Sequence, residues 1–160
     1  MIKRYQLGVM TFTISRRESQ YSTSTTLDVS VENNLRVVKH ETDGLDTTET
    51  CYSLMRGEER LAFISGYYKN QTKFHILRIE NATGDKISGF RYLSRVYRIM
   101  EKNLRENGVE FVTTLSLAKL AHIAVKRYGF YDTGGKSYED LKSSWLKMIP
   151  WKAVSLEKRL

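Results

Sequence analysis

Residues 73–133, KFHILRIENATGDKISGFRYLSRVYRIMEKNLRENGVEFVTTLSLAKLAHIAVKRYGFYDT, decide the fold class. Lys73 to Glu80 has Phe74 and Ile76 on one face and Leu77 and Ile79 on the other. A run apolar on both sides suits a strand in the interior of a sheet. A polar loop from Asn81 to Gly89 follows, with glycine at 84 and 89. Leu93, Val96, Tyr97, Met100 and Leu104 then recur at helical spacing and predict a helix from about Phe90 to Glu106. Asn107-Gly108 ends it, because glycine supplies the left-handed residue that closes a helix. Val109–Thr114 reads as a second strand. Ser116 caps a helix through Leu117, Leu120, Ala121, Ala124 and Val125, and Gly129 stops it. Phe130–Thr133 reads as a further strand. Strand and helix alternate through this stretch, which predicts an α/β domain and excludes a sandwich or a bundle.

Upstream, Met10, Phe12 and Ile14 alternate with polar residues and predict a strand from about Leu7 to Ser15. Leu27, Val29 and Val31 fit a strand, whereas Leu27, Val31, Leu35 and Val38 fit a helical stripe. The helical template covers more residues, has Thr25 or Thr26 as a cap, and is favoured. Cys51–Met55 and Arg60–Tyr68 flank Arg56-Gly-Glu-Glu59 as a hairpin. Downstream, Ser137 with Asp140 three residues later opens a last helix through Trp145. The 160 residues suit one domain, with residues 1–135 as its body and 136–160 as a basic C-terminal helix and tail packed on it.

Composition narrows the class. A hydrophobic fraction of 41% suits a globular chain, and the lone Cys51 cannot form an internal disulfide. No Cys/His cluster has metal-ligand spacing, so no metal site is expected. No apolar run reaches the roughly 20 residues of a membrane span, and the first residues lack a signal peptide's apolar region. A cytoplasmic protein is expected.

Lys plus Arg outnumber Asp plus Glu by 26 to 18, a net charge of +8. Glu41 to Thr50 carries four acids and no cation, leaving the remainder at +12, and reads as a solvated loop. The excess lies in two places. Arg91, Arg95, Arg98, Lys102 and Arg105 form one stripe opposite the helix's apolar face, and Lys136 to Arg159 forms a basic tail. A solvated helix face usually mixes signs; this one is biased enough to attract a polyanion or the phosphates of a cofactor.

The glycine loop between strand and helix matches neither the Walker nor the Rossmann spacing. Its amides and the helix dipole can still take an anion, with Gly84 and Gly89 allowing close approach beside Lys86. His40, His75 and His122 stand at no ligand spacing and read as structural. Trp145 and Trp151 read as packing anchors of the last helix.

Taken together, Phe74 to Thr133 resembles the GCN5-related N-acetyltransferases (GNAT), most closely the small acetyltransferase-like proteins of tailed bacteriophages. Lys73–Glu80 resembles the strand that pairs with the cofactor's pantetheine arm. Lys86-Ile-Ser-Gly-Phe-Arg91 resembles the family's Gln/Arg-x-x-Gly-x-Gly/Ala loop, and Val125-Lys-Arg-Tyr-Gly-Phe130 its Tyr-x-x-x-Gly-Phe ending. This chain departs from the pattern with Arg91 in place of a small residue, Val125 in place of the tyrosine acid, and Ala118 near the usual asparagine.

The resemblance implies a mixed central sheet flanked by helices, with an extra helix at the C-terminus. It also implies that acetyl-CoA or another acyl-CoA lies in a splay between the strands at 73–80 and 109–114. Leu77, Arg78, Ile79 and Thr114 would line the acyl-CoA, and Lys86, Ile87, Ser88, Gly89, Phe90 and Arg91 would hold its pyrophosphate. Glu80, or instead a water chain through His75, would take the amine's proton, and Tyr128 or Tyr131 would replace the missing acid. Three functions compete on this reading: an acyl-CoA N-acyltransferase, a catalytically silent binding or structural protein (in a phage, part of a particle), and a nucleic-acid-binding or -modifying domain that uses the stripe Arg91, Arg95, Arg98, Lys102 and Arg105. If the source is viral, the expected location is the host cytoplasm or the virion.

Overall fold

The computed structural model describes residues 3–7, 10–14, 21–42, 49–82, 86–147 and 153–160. Ten strands and three helices occur among them. β1 (Lys3–Leu7) and β2 (Met10–Ile14) form a separate antiparallel hairpin. The main sheet contains β3 (Tyr21–Ser30), β4 (Leu35–Thr42), β5 (Glu49–Arg56), β6 (Glu59–Asn70), β7 (Lys73–Asn81), β8 (Phe111–Leu117), β9 (Tyr131–Asp132) and β10 (Ala153–Arg159). Its order is β3-β4-β5-β6-β7-β8-β10-β9. Only β7 and β8 pair in parallel; the other pairings are antiparallel, so the sheet is mixed. The helices are α1 (Lys86–Glu106), α2 (Ala118–Tyr128) and α3 (Tyr138–Lys147). The α/β class and the extra C-terminal helix agree with the sequence reading.

Four segments differ from that reading. The helix favoured over Leu27–Val38 is instead the hairpin of β3 and β4. Its β-branched Thr23, Thr25, Thr26, Val29, Val37 and Val38 suit a pleated surface, and Asn34 (φ 51°) supplies the left-handed residue where the turn closes. The strand expected from about Leu7 to Ser15 is described as β2 over Met10–Ile14, and it pairs with β1, a strand upstream of it that the sequence did not suggest; residues 8, 9 and 15 lie outside the described ones. The acidic segment 41–50 begins and ends in strands: Glu41 pairs with Lys39 at 3.0 Å, and Glu49 with Arg78. Its residues 43–48 lie outside the described ones. Finally, the basic tail enters the sheet as β10, between β8 and β9.

Two boundaries also move. α1 begins at Lys86, four residues before the expected start, so Gly89 lies within the helix and not in a loop. β8 runs on to Leu117, past Ser116. Other local signals hold: Gly57, Gly108 and Gly129 all have positive φ at turns or helix ends. Ser137 and Asp140 bond reciprocally at the start of α3, with Ser137 Oγ donating at 2.8 Å and the Asp140 amide donating back at 3.2 Å.

The core forms where α1 covers one face of the sheet. Val96, Met100 and Leu104 are fully buried and meet Tyr52, Ile64, Phe74 and Val112. Each such side chain contributes about 1.5–3 kcal/mol by leaving water. The Tyr52 hydroxyl crosses to Asn103 Oδ1 at 2.9 Å, which fixes α1 against β5, and burial pushes that phenol well above its usual range. α2 packs beside α1 on the same face, with the Tyr97 and Tyr128 rings 4.9 Å apart, edge to face.

Candidate functional site

β7 and β8 pair over only four rungs, from Lys73↔Phe111 to Ile76↔Thr114. Beyond the last rung they part. β7 continues to Asn81 alongside β6, and β8 continues to Leu117 alongside β10. The separation coincides with a β-bulge: Ser65 faces Arg78 and Gly66 faces Ile76, which leaves Leu77 as the extra residue. A bulge bends and twists its strand, and so turns β7 away from β8. Gly66 makes that arrangement possible, since a Cβ there would lie 2.1 Å from the His75 carbonyl oxygen. Glycine within a strand is the local sign of such close approach. At the last rung the Thr114 hydroxyl donates to the Ile76 carbonyl at 3.3 Å.

The opening therefore exposes backbone polar groups on the edges of two strands. α1 starts at the same end, five residues after β7 closes. The amides of Lys86, Ile87 and Ser88 lie in its first turn, where no helical carbonyl accepts them. That turn itself carries no acidic residue, and the positive end of a helix dipole favours an anion. An extended ligand that bonds to strand edges and ends in an anionic group suits this geometry.

The register separates the proposed side chains. Ile64 faces Ile79 and belongs to the core under α1, so Glu80, paired with Phe63, projects from the opposite face. Glu80 is buried at 7% exposure. Arg78 shares its face, ion-paired with Glu49 and donating from Nε to Ser65 Oγ at 3.2 Å. His75 also lies there, its Nδ1 2.8 Å from Thr113 Oγ1 and its ring 5.4 Å from that of Tyr67. Burial, followed by the nearby Lys69 charge, holds the His75 pKa below its usual value. The side chain of Arg78 thus stands between His75 and Glu80 along β7.

Tyr128 ends α2 on the α1 face, its hydroxyl 3.0 Å from Ser94 Oγ. Tyr131 is elsewhere. It sits on β9, which β8 and β10 separate from β7, and its hydroxyl bonds to Glu157. Three strand spacings put it about 14 Å to the side of β7. Glu157, with Tyr131 donating to it and Lys73 3.3 Å away, has its pKa lowered. Of the expected catalytic residues, only Glu80 lies past the rung where the two strands part. The residue that the sequence reading passed over is Gly66, and its signal was a lone glycine inside a strand.

No protein-family model matches the sequence, and no curated protein matches it. Solved structures do match in fold. Ard1 from Thermoplasma volcanium aligns with a TM-score of 0.51 at 16% identity, covering 69% of this chain and 70% of that one. An IAA acetyltransferase from Bacillus cereus aligns at 0.52 and 11% identity, covering 70% and 78%. A GNAT family acetyltransferase from Elizabethkingia anophelis, solved with acetyl-CoA bound, aligns at 0.52 and 13% identity, covering 70% and 76%. The fold is that of the GNAT acetyltransferases. Within that fold, half-buried Val125, which stands where the resembled pattern has its tyrosine, packs against the core. At these identities the likeness is one of fold, and chemistry has to be argued from the site.

Proposed function

We propose that the protein is an acyl-CoA-dependent N-acyltransferase that takes its cofactor in the opening between β7 and β8. The observation carrying this reading is the parting of the two strands after Ile76 and Thr114, with the N-terminus of α1 at the same end. The donor set fits the cofactor's chemistry. The backbone of Leu77, Arg78 and Ile79, with Thr114 opposite, would bond the amide-bearing pantetheine arm. The first-turn amides of Lys86, Ile87 and Ser88 would hold the pyrophosphate, a ready use of a helix N-terminus, whereas those of Phe90 and Arg91 are already inside α1 and bond to its own carbonyls.

Bound acyl-CoA supplies an activated thioester. Glu80 accepts the proton that an ammonium acceptor must lose before its nitrogen can form the new C–N bond. As the C–S bond breaks, the Tyr128 hydroxyl, bonded to Ser94, donates a proton to the departing sulfur. Tyr131, committed to Glu157 on the far edge of the sheet, takes no part.

Calorimetric titration with acetyl-CoA tests the binding claim: micromolar to submillimolar affinity is expected, and no heat at millimolar cofactor would sink it. Glu80→Gln is expected to keep cofactor affinity and to lower turnover of an amine panel by about 10²–10⁴. Full turnover in that variant removes Glu80 from the mechanism. Val125 favours a second reading, a protein that binds acyl-CoA without transferring the acyl group. Wild-type binding with no turnover across the panel would establish it.

A further inference from the structure

The outer face of α1 is a separate feature that acyl-CoA binding at the opening does not use. From residue 91 onward, the exposed residues of this helix are Arg91, Arg98, Lys102, Arg105 and Glu106. All are charged, and four of the five are cations. The remaining charges on the helix turn elsewhere. Arg95 reaches sideways to Asp28 of β3 at 2.8 Å. Glu101, the acid in the middle of the stripe, is drawn toward β10, where Lys158 Nζ donates to it at 2.8 Å, with Arg105 3.0 Å from its other oxygen. The stripe's internal acid is thus largely neutralised, while Arg98 and Lys102 extend into solvent.

We propose that this face docks the sugar–phosphate backbone of a nucleic acid. Arg98 and Lys102 stand one turn apart, about 6 Å along the axis, and the row from Arg91 to Arg105 extends about 21 Å. A duplex presents a phosphate charge about every 1.7 Å of its axis, so a straight row of this length meets several phosphates at once. A protein partner would call for an aromatic or apolar anchor at the centre of the patch. From residue 91 onward, the described exposed residues of this face supply none. Contacts of this kind position a polyanion without reading its bases.

Fluorescence anisotropy with a labelled duplex of about 20 base pairs and arbitrary sequence, titrated at several salt concentrations, tests the proposal. Four phosphate contacts predict a slope of log K against log[salt] of about −3.6. Arg98→Gln/Lys102→Gln is expected to make that slope shallower by about 1.8 and to weaken binding at least tenfold at low salt. Lys136→Gln/Lys142→Gln, which removes two exposed cations outside α1, is expected to leave the slope unchanged. Any of three results overturns the proposal: no duplex binding at low salt, an unchanged slope in the α1 variant, or equal binding to poly-glutamate of matched charge. Neither Arg98 nor Lys102 lies at the β7–β8 opening, so acetyl-CoA titration of the α1 variant is expected to match wild type. A failure here is therefore distinct from a failure of the acyltransferase reading.

Discussion

Gly66→Ala is the substitution that most directly tests why the site opens. The added Cβ would lie 2.1 Å from the His75 carbonyl oxygen and 2.8 and 2.9 Å from two Phe74 ring carbons. Ordinary non-bonded contacts between heavy atoms are about 3.5–4.0 Å, so the methyl group overlaps by more than an ångström. The nearest atom belongs to the backbone of β7 and cannot rotate aside. Relief requires β6 and β7 to separate, or the bulge at Leu77 to move. Overpacking costs about 1–3 kcal/mol, and a fixed backbone atom puts this case near 3 kcal/mol. For a chain of this size about 2–4 °C of Tm is lost per kcal/mol, which predicts a fall of about 6–12 °C. Because the bulge turns β7 from β8, acetyl-CoA affinity is expected to fall along with stability. Gly57→Ala is the control. That glycine has φ +58° but open space around it, so only the left-handed penalty of about 1–2 kcal/mol applies, with cofactor affinity intact. Urea unfolding and calorimetry measure both quantities. If Gly66→Ala unfolds at the wild-type midpoint and binds acetyl-CoA as well, the close approach at residue 66 does not create the opening.

Two further outcomes follow from side-chain contacts. Glu101 links Lys158 of β10 and Arg105 of α1, and Lys158 Nζ also lies 5.3 Å from the centre of the Tyr97 ring. Glu101→Ala leaves the half-buried Lys158 ammonium without its carboxylate and is expected to cost about 1–2 kcal/mol by urea unfolding, between the surface and buried limits for ion pairs. Lys158→Met in the Glu101→Ala background is expected to recover part of that loss; no recovery would refute the pairing. His75 prefers its neutral form in the folded state because burial lowers its pKa. Its contribution is therefore complete above the unfolded-state value near 6.5 and declines as pH falls below it, because the unfolded chain binds the proton more readily. His75→Gln is expected to make stability less sensitive to pH just below 6.5, and an unaltered pH profile would count against the buried neutral imidazole.

How much of this was legible in the sequence depended on the range of the interaction behind each feature. α1 was readable because Leu93, Val96, Tyr97, Met100 and Leu104 mark its buried face at local spacing. Its end was readable from Gly108, whose φ of +82° only glycine adopts freely. The hairpin of β5 and β6 was legible for the same reason, with Gly57 at its turn. The β3–β4 segment misled because four apolar residues happen to fit a helical period, while the pairing that makes it a hairpin lies across the turn, Ser30 against Leu35. β10 was illegible because its burial is supplied by partners far away in the chain: Leu156 is fully buried between Thr114 and Asp132. Lysines and an arginine around it gave the segment the look of a tail.

The site shows the same division at closer range. Spacing placed Glu80 on the strand that is β7, yet it could not show that the bulge at Leu77 shifts the alternation. Before the bulge, the even-numbered Phe74 and Ile76 face α1; after it, the odd-numbered Ile79 does. Simple alternation along β7 would have put Glu80 on the α1 face beside Tyr128. The extra residue instead puts the two on opposite sides of the sheet. Proton acceptance and proton donation in the proposed reaction are therefore assigned to opposite faces, with the gap between β7 and β8 as the route between them. An acceptor amine has to approach from the Glu80 face, while Tyr128 meets the sulfur from the α1 side. Tyr128→Phe is accordingly expected to slow turnover without changing KM for the amine, because it removes a group the amine never touches. A raised amine KM with turnover intact would place Tyr128 on the acceptor's side and overturn the assignment.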